Sequence, residues 1–245
     1  MTSLNETILE LTAPSIPYAT PNFPGSQYNL MPITDLNPME VRIPQWSDSD
    51  KAAPMILIIS LGRDQQPLID VATYTLYGPL DFTYFPYKGE IPAEYLALEG
   101  VYQVCYRVEI AGNTQNSTNN QFTIDKTAPN RNLPGESPIF PQAIINGGIT
   151  RQYLESNNDE VLVQIPVYSD QRKGDAVLFY FGSFIDGPVS RVTVSDSTIP
   201  TSVHLSGEMI RKKGSGNHLT YYSLDDLAYN QGPNSKSKFI VVALS

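Results

Sequence analysis

The sequence predicts an all-β chain made of two tandem, antiparallel β-sandwich domains of similar size. Three observations predict this fold class. The chain has 245 residues, its motifs recur at a spacing of roughly 115 to 122 residues, and its apolar residues alternate with polar ones in short runs. Two domains of about 100–120 residues can each bury a core without a metal ion or a disulfide.

Four sequence motifs recur in the same order in the two halves of the chain. The pairs are Leu11–Pro14 with Lys126–Pro129, Val41–Asp48 with Val163–Asp170, Gly100–Val108 with Gly216–Leu224, and Ile110–Asn113 with Leu227–Asn230. This ordered recurrence predicts an internal duplication, with domains at residues 1–126 and 127–245. Pro129 marks the boundary because proline has no N–H to donate to a strand ladder. The proline-rich segments 14–32 and 130–142 are predicted to be extended lead-ins to the two domains.

Individual strands are predicted from apolar periodicity. The segment 101–108 alternates, whereas Met55–Leu61 and Ala176–Phe181 are continuous apolar runs that each end at a glycine. Continuous runs of this length are typical of central strands in a sandwich. No window of a dozen residues has helical apolar spacing with caps, so no long helix is expected.

Composition excludes several classes of function. The formal net charge of −9 argues against a nucleic-acid partner, which would require clustered lysine and arginine. The densest basic group, Arg211–Lys213, is predicted to be a solvated hairpin tip, with a small anion site as the alternative. The longest apolar run, Met55–Ile59, is too short to span a membrane. Residues Met1–Glu6 lack the features of a secretory signal peptide, so no signal peptide is expected within this chain.

The nucleophilic and basic side chains do not form a catalytic pattern. Cys105 is the single cysteine, which excludes an intrachain disulfide, and its strand-like surroundings predict a packed thiol. A Ser206, His218 and Asp225 arrangement lacks the glycine-rich nucleophile turn that such triads use. The sequence therefore predicts no catalytic residues and a protein that is not an enzyme.

Calcium is the one cofactor for which the sequence offers candidates. Asp48 and Asp50 follow a predicted strand, Asp170 occupies the matching place in the second half, and Asp225 and Asp226 form another acidic pair. Calcium binds six to eight oxygen ligands from such carboxylates. The alternative is that these aspartates stabilise turns through hydrogen bonds to the main chain.

An aromatic-rich segment between Tyr74 and Tyr87 is the candidate binding surface. Exposed aromatic rings stack on sugars and are enriched at protein interfaces. The candidate ligand-binding residues are Tyr77, Tyr84, Phe85 and Tyr87. Strand alternation predicts equally that about half of these rings pack into the core, and both interpretations stay open.

The end of the first half resembles bacterial immunoglobulin-like repeat domains. The resemblance is carried by Glu99–Ser117, with its Gly-x-Tyr strand and Ala-Gly-Asn turn, and by Ile124–Pro129, with its Asp-x-Thr-Ala-Pro joint. It implies that Tyr102 forms a tyrosine corner, that Gly112 makes the turn between the last strands, and that Pro129 lies in the joint. The second half departs from the pattern, because His218 replaces the corner tyrosine and Tyr229 replaces the turn glycine.

The same resemblance implies a location and a role. Such repeats occur in large bacterial cell-surface or secreted proteins, so an extracellular module acting as a stalk or an adhesion unit is expected. Its partner would be a protein or glycan on another surface, and the isolated chain is expected to be monomeric. The alternative is a pair of carbohydrate-binding accessory domains of a larger secreted enzyme, which would use the aromatic segment.

Overall fold

A computed structural model describes residues 10–183 and 185–244 of the chain. The residues Met1–Glu6, on which the signal-peptide expectation rests, lie outside this described part. The chain divides into two compact units, the first ending at Lys126 and the second beginning at Thr127, with residues 24–26 grouped with the second. None of the described helices is long and apolar enough to cross a membrane.

The first unit is a sandwich of two sheets. The larger sheet has the order β1-β8-β6-β3-β4, with β7 also paired to β6, and the smaller sheet pairs β2 with β5. The strands are β1 (Leu30–Met31), β2 (Met39–Ile43), β3 (Pro54–Arg63), β4 (Ile69–Tyr77), β5 (Tyr87–Ile91), β6 (Gly100–Ile110), β7 (Asn113–Asn116) and β8 (Asn120–Ile124).

The second unit repeats this strand order. Its larger sheet runs β9-β15-β14-β11-β12 and its smaller sheet pairs β10 with β13. Three helices of six or seven residues are added. The elements are α1 (Gln142–Gly147), β9 (Ile149–Thr150), α2 (Arg151–Ser156), β10 (Glu160–Ile165), β11 (Ala176–Gly182), β12 (Ser190–Thr193), β13 (Thr201–Ser206), α3 (Gly207–Lys213), β14 (Gly216–Asp225) and β15 (Lys238–Ala243).

Each unit has a core of its own, formed where its two sheets face each other. In the first unit, Val41 and Ile43 of β2 pack in one cluster with Leu57 and Ile59 of β3. In the second, residues of β10 and β11 form a separate cluster. Strand β6 shows how a strand contributes one face to the core, because its residues alternate between buried and less buried from Val101 to Ile110. The predicted all-β sandwich fold class is confirmed.

The sequence predicts antiparallel sheets throughout, but two of the strand pairings are parallel. In each unit the first strand of the larger sheet runs parallel to the last one, β1 to β8 and β9 to β15. The proline-rich segments also contribute to the sheets rather than only leading into them. Ser15 exchanges main-chain hydrogen bonds of 2.9 Å with Arg42 of β2, and Ile139 does the same with Gln164 of β10.

The basic group Arg211–Lys213 does not form a hairpin tip, and that prediction is wrong. These residues are the last turn of α3, which Ser206 begins by accepting a hydrogen bond on its hydroxyl from the Met209 N–H. Cations at a helix C-terminus are stabilised by the helix dipole. Arg211 is paired with Asp159, and Lys213 with Asp186 at 2.8 Å.

A corner hydrogen bond occurs at the start of the long strand in both units. The Tyr102 hydroxyl donates to the Leu98 carbonyl at 2.7 Å, and its ring stacks on Phe122. In the second unit, Nε2 of His218 lies 2.9 Å from the carbonyl of Gly214, which is also four residues earlier. The His218 ring stacks on Phe181. The histidine thus makes the contact that the tyrosine makes in the first unit.

The two turns that follow the long strands differ between the units. Ala111 and Gly112 form a two-residue connection between β6 and β7, with φ of 49° and 81°. In the second unit, five residues separate Asp225 from its bridge partner Gln231, and Tyr229 within them has φ of 66°. A tyrosine therefore takes a left-handed conformation that is usually reserved for glycine or asparagine.

The corner hydrogen bond gives a test of stability. Replacing Tyr102 with phenylalanine removes the donor to the Leu98 carbonyl, and we expect the free energy of unfolding of the first unit to fall by about 1 kcal/mol. The measurement is urea denaturation followed by the fluorescence of Trp46, the single tryptophan of the chain, which is buried in the first unit.

A matched control is available in the same strand. The Tyr106 hydroxyl is buried and has no hydrogen-bond partner among the described residues. Tyr106→Phe should therefore leave stability unchanged or raise it slightly. If both variants lose the same stability, the corner hydrogen bond is not what Tyr102 contributes.

Candidate functional site

The aromatic segment at the end of β4 presents three rings to solvent. The side chains of Tyr77, Phe82 and Tyr84 are 74%, 78% and 54% exposed. Tyr77 ends β4, while Phe82 and Tyr84 lie in a single 3-10 turn, Phe82–Tyr84. Three strongly exposed aromatic side chains within eight residues of sequence are uncommon, and exposed apolar surface is a feature of interaction sites.

The turn that carries Phe82 and Tyr84 is fixed at both ends by packing against the core. Leu80 is buried before the turn, and after it the ring of Phe85 packs edge-on against Trp46 with centroids 4.9 Å apart. Within the turn, the Asp81 carboxylate accepts a hydrogen bond of 2.7 Å from the Thr83 N–H and another from the Thr83 hydroxyl. These bonds lower the pKa of Asp81. The rings of Phe82 and Tyr84 therefore project from an ordered turn, and that of Tyr77 projects from the end of β4.

Two of the four predicted ligand-binding aromatics are packed against the core instead. Phe85 and Tyr87 both pack on the hydrophobic cluster of the first unit. The Tyr87 ring contacts that of Tyr74 edge-on, at 5.4 Å between centroids, and burial raises the pKa of its hydroxyl. Of the predicted set, Tyr77 and Tyr84 are the exposed members. Phe82, which the prediction omitted, is the most exposed ring of the segment.

The first two calcium candidates lie in one turn of the first unit. Asp48 has φ of 67° and forms an ion pair of 2.9 Å with Lys51, and Asp50 is exposed. Asp170, its counterpart in the second unit, has a similar φ of 58° and accepts a hydrogen bond from the Asn130 N–H at 2.9 Å. Both residues take the left-handed conformation that aspartate tolerates at turns, so both act as turn formers.

The other two candidates, Asp225 and Asp226, are also engaged. Asp225 pairs with Arg191 at 3.2 Å, and Asp226 accepts hydrogen bonds from both the main-chain and the side-chain nitrogen of Asn230. Within residues 10–183 and 185–244, no three acidic, histidine or cysteine side chains are grouped so that they could hold a metal ion. Calcium binding by these aspartates stays a prediction.

The residues of the triad considered from the sequence have separate partners. The Ser206 hydroxyl caps α3, His218 contacts the Gly214 carbonyl, and Asp225 pairs with Arg191. The other histidine, His204, lies 3.1 Å from Glu160 across the strand pair β10–β13. Cys105 lies in β6, half-buried, and burial raises the pKa of its thiol. A thiol with a raised pKa is a weaker nucleophile at neutral pH.

One carboxylate that could not be singled out from the sequence alone is buried in the second unit. Asp175 is 3% exposed and accepts hydrogen bonds from the Tyr168 hydroxyl at 2.7 Å and from the Arg172 N–H at 2.9 Å. Burial raises the pKa of Asp175 to about 6, a shift that the nearby Asp226 reinforces and that the two hydrogen bonds partly oppose. A lone aspartate after a Lys-Gly pair looks like a solvated turn residue, so only the fold reveals its burial.

The raised pKa of Asp175 predicts a pH dependence of stability. In the unfolded chain the carboxyl has its ordinary pKa of 3.8, so between pH 4 and 6 the folded state holds a proton that the unfolded state has lost. The stabilising contribution is complete below pH 4 and is lost as the pH rises through 6. We expect the protection of β11 and β14 against amide hydrogen exchange to decrease over this range.

Asp175→Asn is the matched variant for this prediction. Asparagine keeps an oxygen acceptor for Tyr168 and Arg172 but does not titrate, so the pH dependence between 4 and 6 should become flatter than in the parent protein. Groups that titrate elsewhere affect both proteins equally. An identical pH profile in the two proteins would show that Asp175 does not titrate in this range.

The chain was compared with protein families, curated proteins and solved structures. No family model matches the sequence, and no curated protein matches it. Among solved structures, the chain is similar to the fibronectin(III)-like modules of Clostridium thermocellum CbhA, with 12% identity over 85% of this chain and 86% of that one and a TM-score of 0.42. It is also similar to part of a 1.5-MDa bacterial ice-binding adhesin, described for its retention on the host cell surface, with 12% identity over 88% of this chain and 60% of that one and a TM-score of 0.35. These likenesses do not extend to function.

Proposed function

We propose that the chain is a non-catalytic pair of immunoglobulin-like modules from a bacterial cell-surface or secreted protein, where it acts as a stalk or adhesion unit. The modules correspond to residues 1–126 and 127–245 and arose by duplication. Support comes from the motifs that recur in order along the sequence and from the identical strand order of the two larger sheets. A module with its own core can be repeated without loss of stability.

The observation that carries the binding role is the set of exposed rings of Tyr77, at the end of β4, and of Phe82 and Tyr84, on the anchored turn that follows. Because Leu80 and Phe85 fix this turn, the main chain beneath Phe82 and Tyr84 loses little conformational freedom when a partner covers the rings. Aromatic side chains of this kind commonly dominate the binding energy of an interface. The partner we propose is a protein or a glycan on another surface, and the setting is extracellular.

A second candidate function is a carbohydrate-binding accessory unit of a larger secreted enzyme. The same three rings favour it, because flat aromatic faces stack on sugar rings. The two functions differ in their ligand. A glycan array with the intact chain separates them, since an accessory unit would bind defined oligosaccharides, whereas a protein-binding module would bind none of them and would bind protease-sensitive sites on a cell surface.

The test of the site is a set of alanine variants. Tyr77→Ala, Phe82→Ala and Tyr84→Ala should each weaken binding to the glycan or cell surface by about tenfold or more, as expected when an aromatic anchor worth at least 1.4 kcal/mol is removed. The thermal transition should stay unchanged, because these side chains are exposed. Binding is measured by titration on the array or by cell adsorption.

The control variant is Phe239→Ala in the second unit, whose ring is 64% exposed on β15. This variant removes an exposed aromatic of similar size outside the anchored turn and should keep full binding. Equal losses in the control and the three site variants, or no loss in any of them, would reject the turn as the binding site.

A further inference from the structure

Among the strands of residues 10–183 and 185–244, the longest with a single sheet neighbour is β4 of the first unit. It has nine residues, and its one partner among these strands is β3. Along it, Thr73, Thr75 and Tyr77 are exposed, while the residues between them are partly buried. Long, open edge strands offer a row of main-chain donors and acceptors to another strand, and most natural proteins protect them.

The hydrogen-bond pattern of β4 identifies which main-chain groups are open. The N–H of Gly78 donates to the carbonyl of Ala53 at 3.1 Å, which is one of the two bonds of a hydrogen-bonded pair and continues the register of β3 and β4, while the Ala53 N–H donates to the Lys51 carbonyl. Since such pairs alternate along an antiparallel ladder, Thr73, Thr75 and Tyr77 direct their N–H and C=O groups away from β3. Nothing in the described part of the chain hydrogen-bonds to these groups.

In the smaller sheet, the outer main-chain groups of β5 are hydrogen-bonded by a side chain of β4. The Tyr74 hydroxyl accepts a hydrogen bond from the Glu90 N–H at 2.9 Å and donates to the Glu90 carbonyl at 3.3 Å. The edge of β5 is thereby occupied at its centre. In the second unit, the strand equivalent to β4 is β12, which has only four residues and carries the charged Arg191. Short length and charge are both devices that prevent strand addition.

The open edge of β4 is electrically neutral. Its exposed residues Thr73, Thr75 and Tyr77 carry no charge, and its one ionised residue, Asp70, forms a two-bond ion pair with Arg107 at 2.7 and 2.8 Å. Two β4 strands paired through Thr73, Thr75 and Tyr77 would therefore place no like charges of their own opposite each other. An antiparallel pair centred on Thr75 places the two Thr75 side chains opposite each other and Thr73 opposite Tyr77. Such threonine and aromatic pairs are favourable across strands.

We propose that β4 pairs with β4 of a second copy of this chain, antiparallel and with Thr75 at the twofold axis. This pairing replaces the sequence-based expectation of a monomer and goes beyond the proposed binding function, on which it does not depend. Twofold pairing lets each copy supply the same open groups, so that both edges are closed in a finite dimer. With only three residues of each strand exchanging hydrogen bonds, the dimer is weak and depends on concentration.

Sedimentation equilibrium of the intact chain over a wide concentration range tests the proposal. The parent protein should shift from the monomer mass toward twice that mass. Thr75→Lys should remain monomeric throughout, because it sets two lysines opposite each other, and Thr75→Glu should do the same. An equimolar mixture of the two variants should recover the dimer, because lysine then faces glutamate.

The control is Thr193→Lys, which adds the same charge at an exposed, outward-facing position of β12. It should dimerise as the parent does, and circular dichroism should show that all variants are folded. A parent protein that stays monomeric at the highest concentration would overturn the proposal. So would a dimer that Thr75→Lys leaves intact, or a Lys and Glu mixture that fails to recover it.

Discussion

The structure of each unit depends on hydrogen bonds to the main chain of its long central strand, β6 or β14. These bonds are needed at the point where the neighbouring strand no longer pairs with it. Strand β6 pairs with β8 over its first residues and with β7 over its last ones, which leaves a gap at Tyr106. Ser117 fills the gap: its hydroxyl accepts from the Tyr106 N–H at 2.9 Å, and its own N–H donates to the Tyr106 carbonyl. An unpaired N–H at this depth would cost as much as a core mutation.

The second unit solves the same problem with the same chemistry. Ser235 accepts from the Tyr222 N–H at 3.0 Å and donates its N–H to the Tyr222 carbonyl. The buried hydroxyl of Tyr222, like that of Tyr106, has no hydrogen-bond partner among the described residues. Two units that differ at most positions thus share both a serine that bonds to the long strand and a buried tyrosine, because the bend in the last strand leaves few other ways to pair these peptide groups.

The features that could be predicted from the sequence are those set by local periodicity and by turn chemistry. The apolar run at Met55–Leu61 predicts a central strand, and Ala-Gly predicts the tight turn after β6, because both signals act between near neighbours. Ser117 and Asp175 could not be predicted, because their roles depend on groups that the fold brings together. The same limit explains the error at Arg211–Lys213, where a serine cap five residues upstream turns a basic run into a helix end.

The aromatic candidates show why sequence periodicity alone could not identify the residues of the binding site. Alternation predicted that about half of the rings between Tyr74 and Tyr87 would be buried, but it could not say which, because the strand ends at Tyr77 and the period is lost in the turn. The structure divides them by anchoring: Phe85 and Tyr87 hold the turn to the core, and this burial is what keeps Phe82 and Tyr84 exposed. The first unit therefore combines an anchored turn with an open edge strand, β4. In the second unit the equivalent strand, β12, is shorter and carries the charged Arg191. Where one unit protects its edge strand and the other leaves it open, the open edge is the place where new contacts can form without any change to the core.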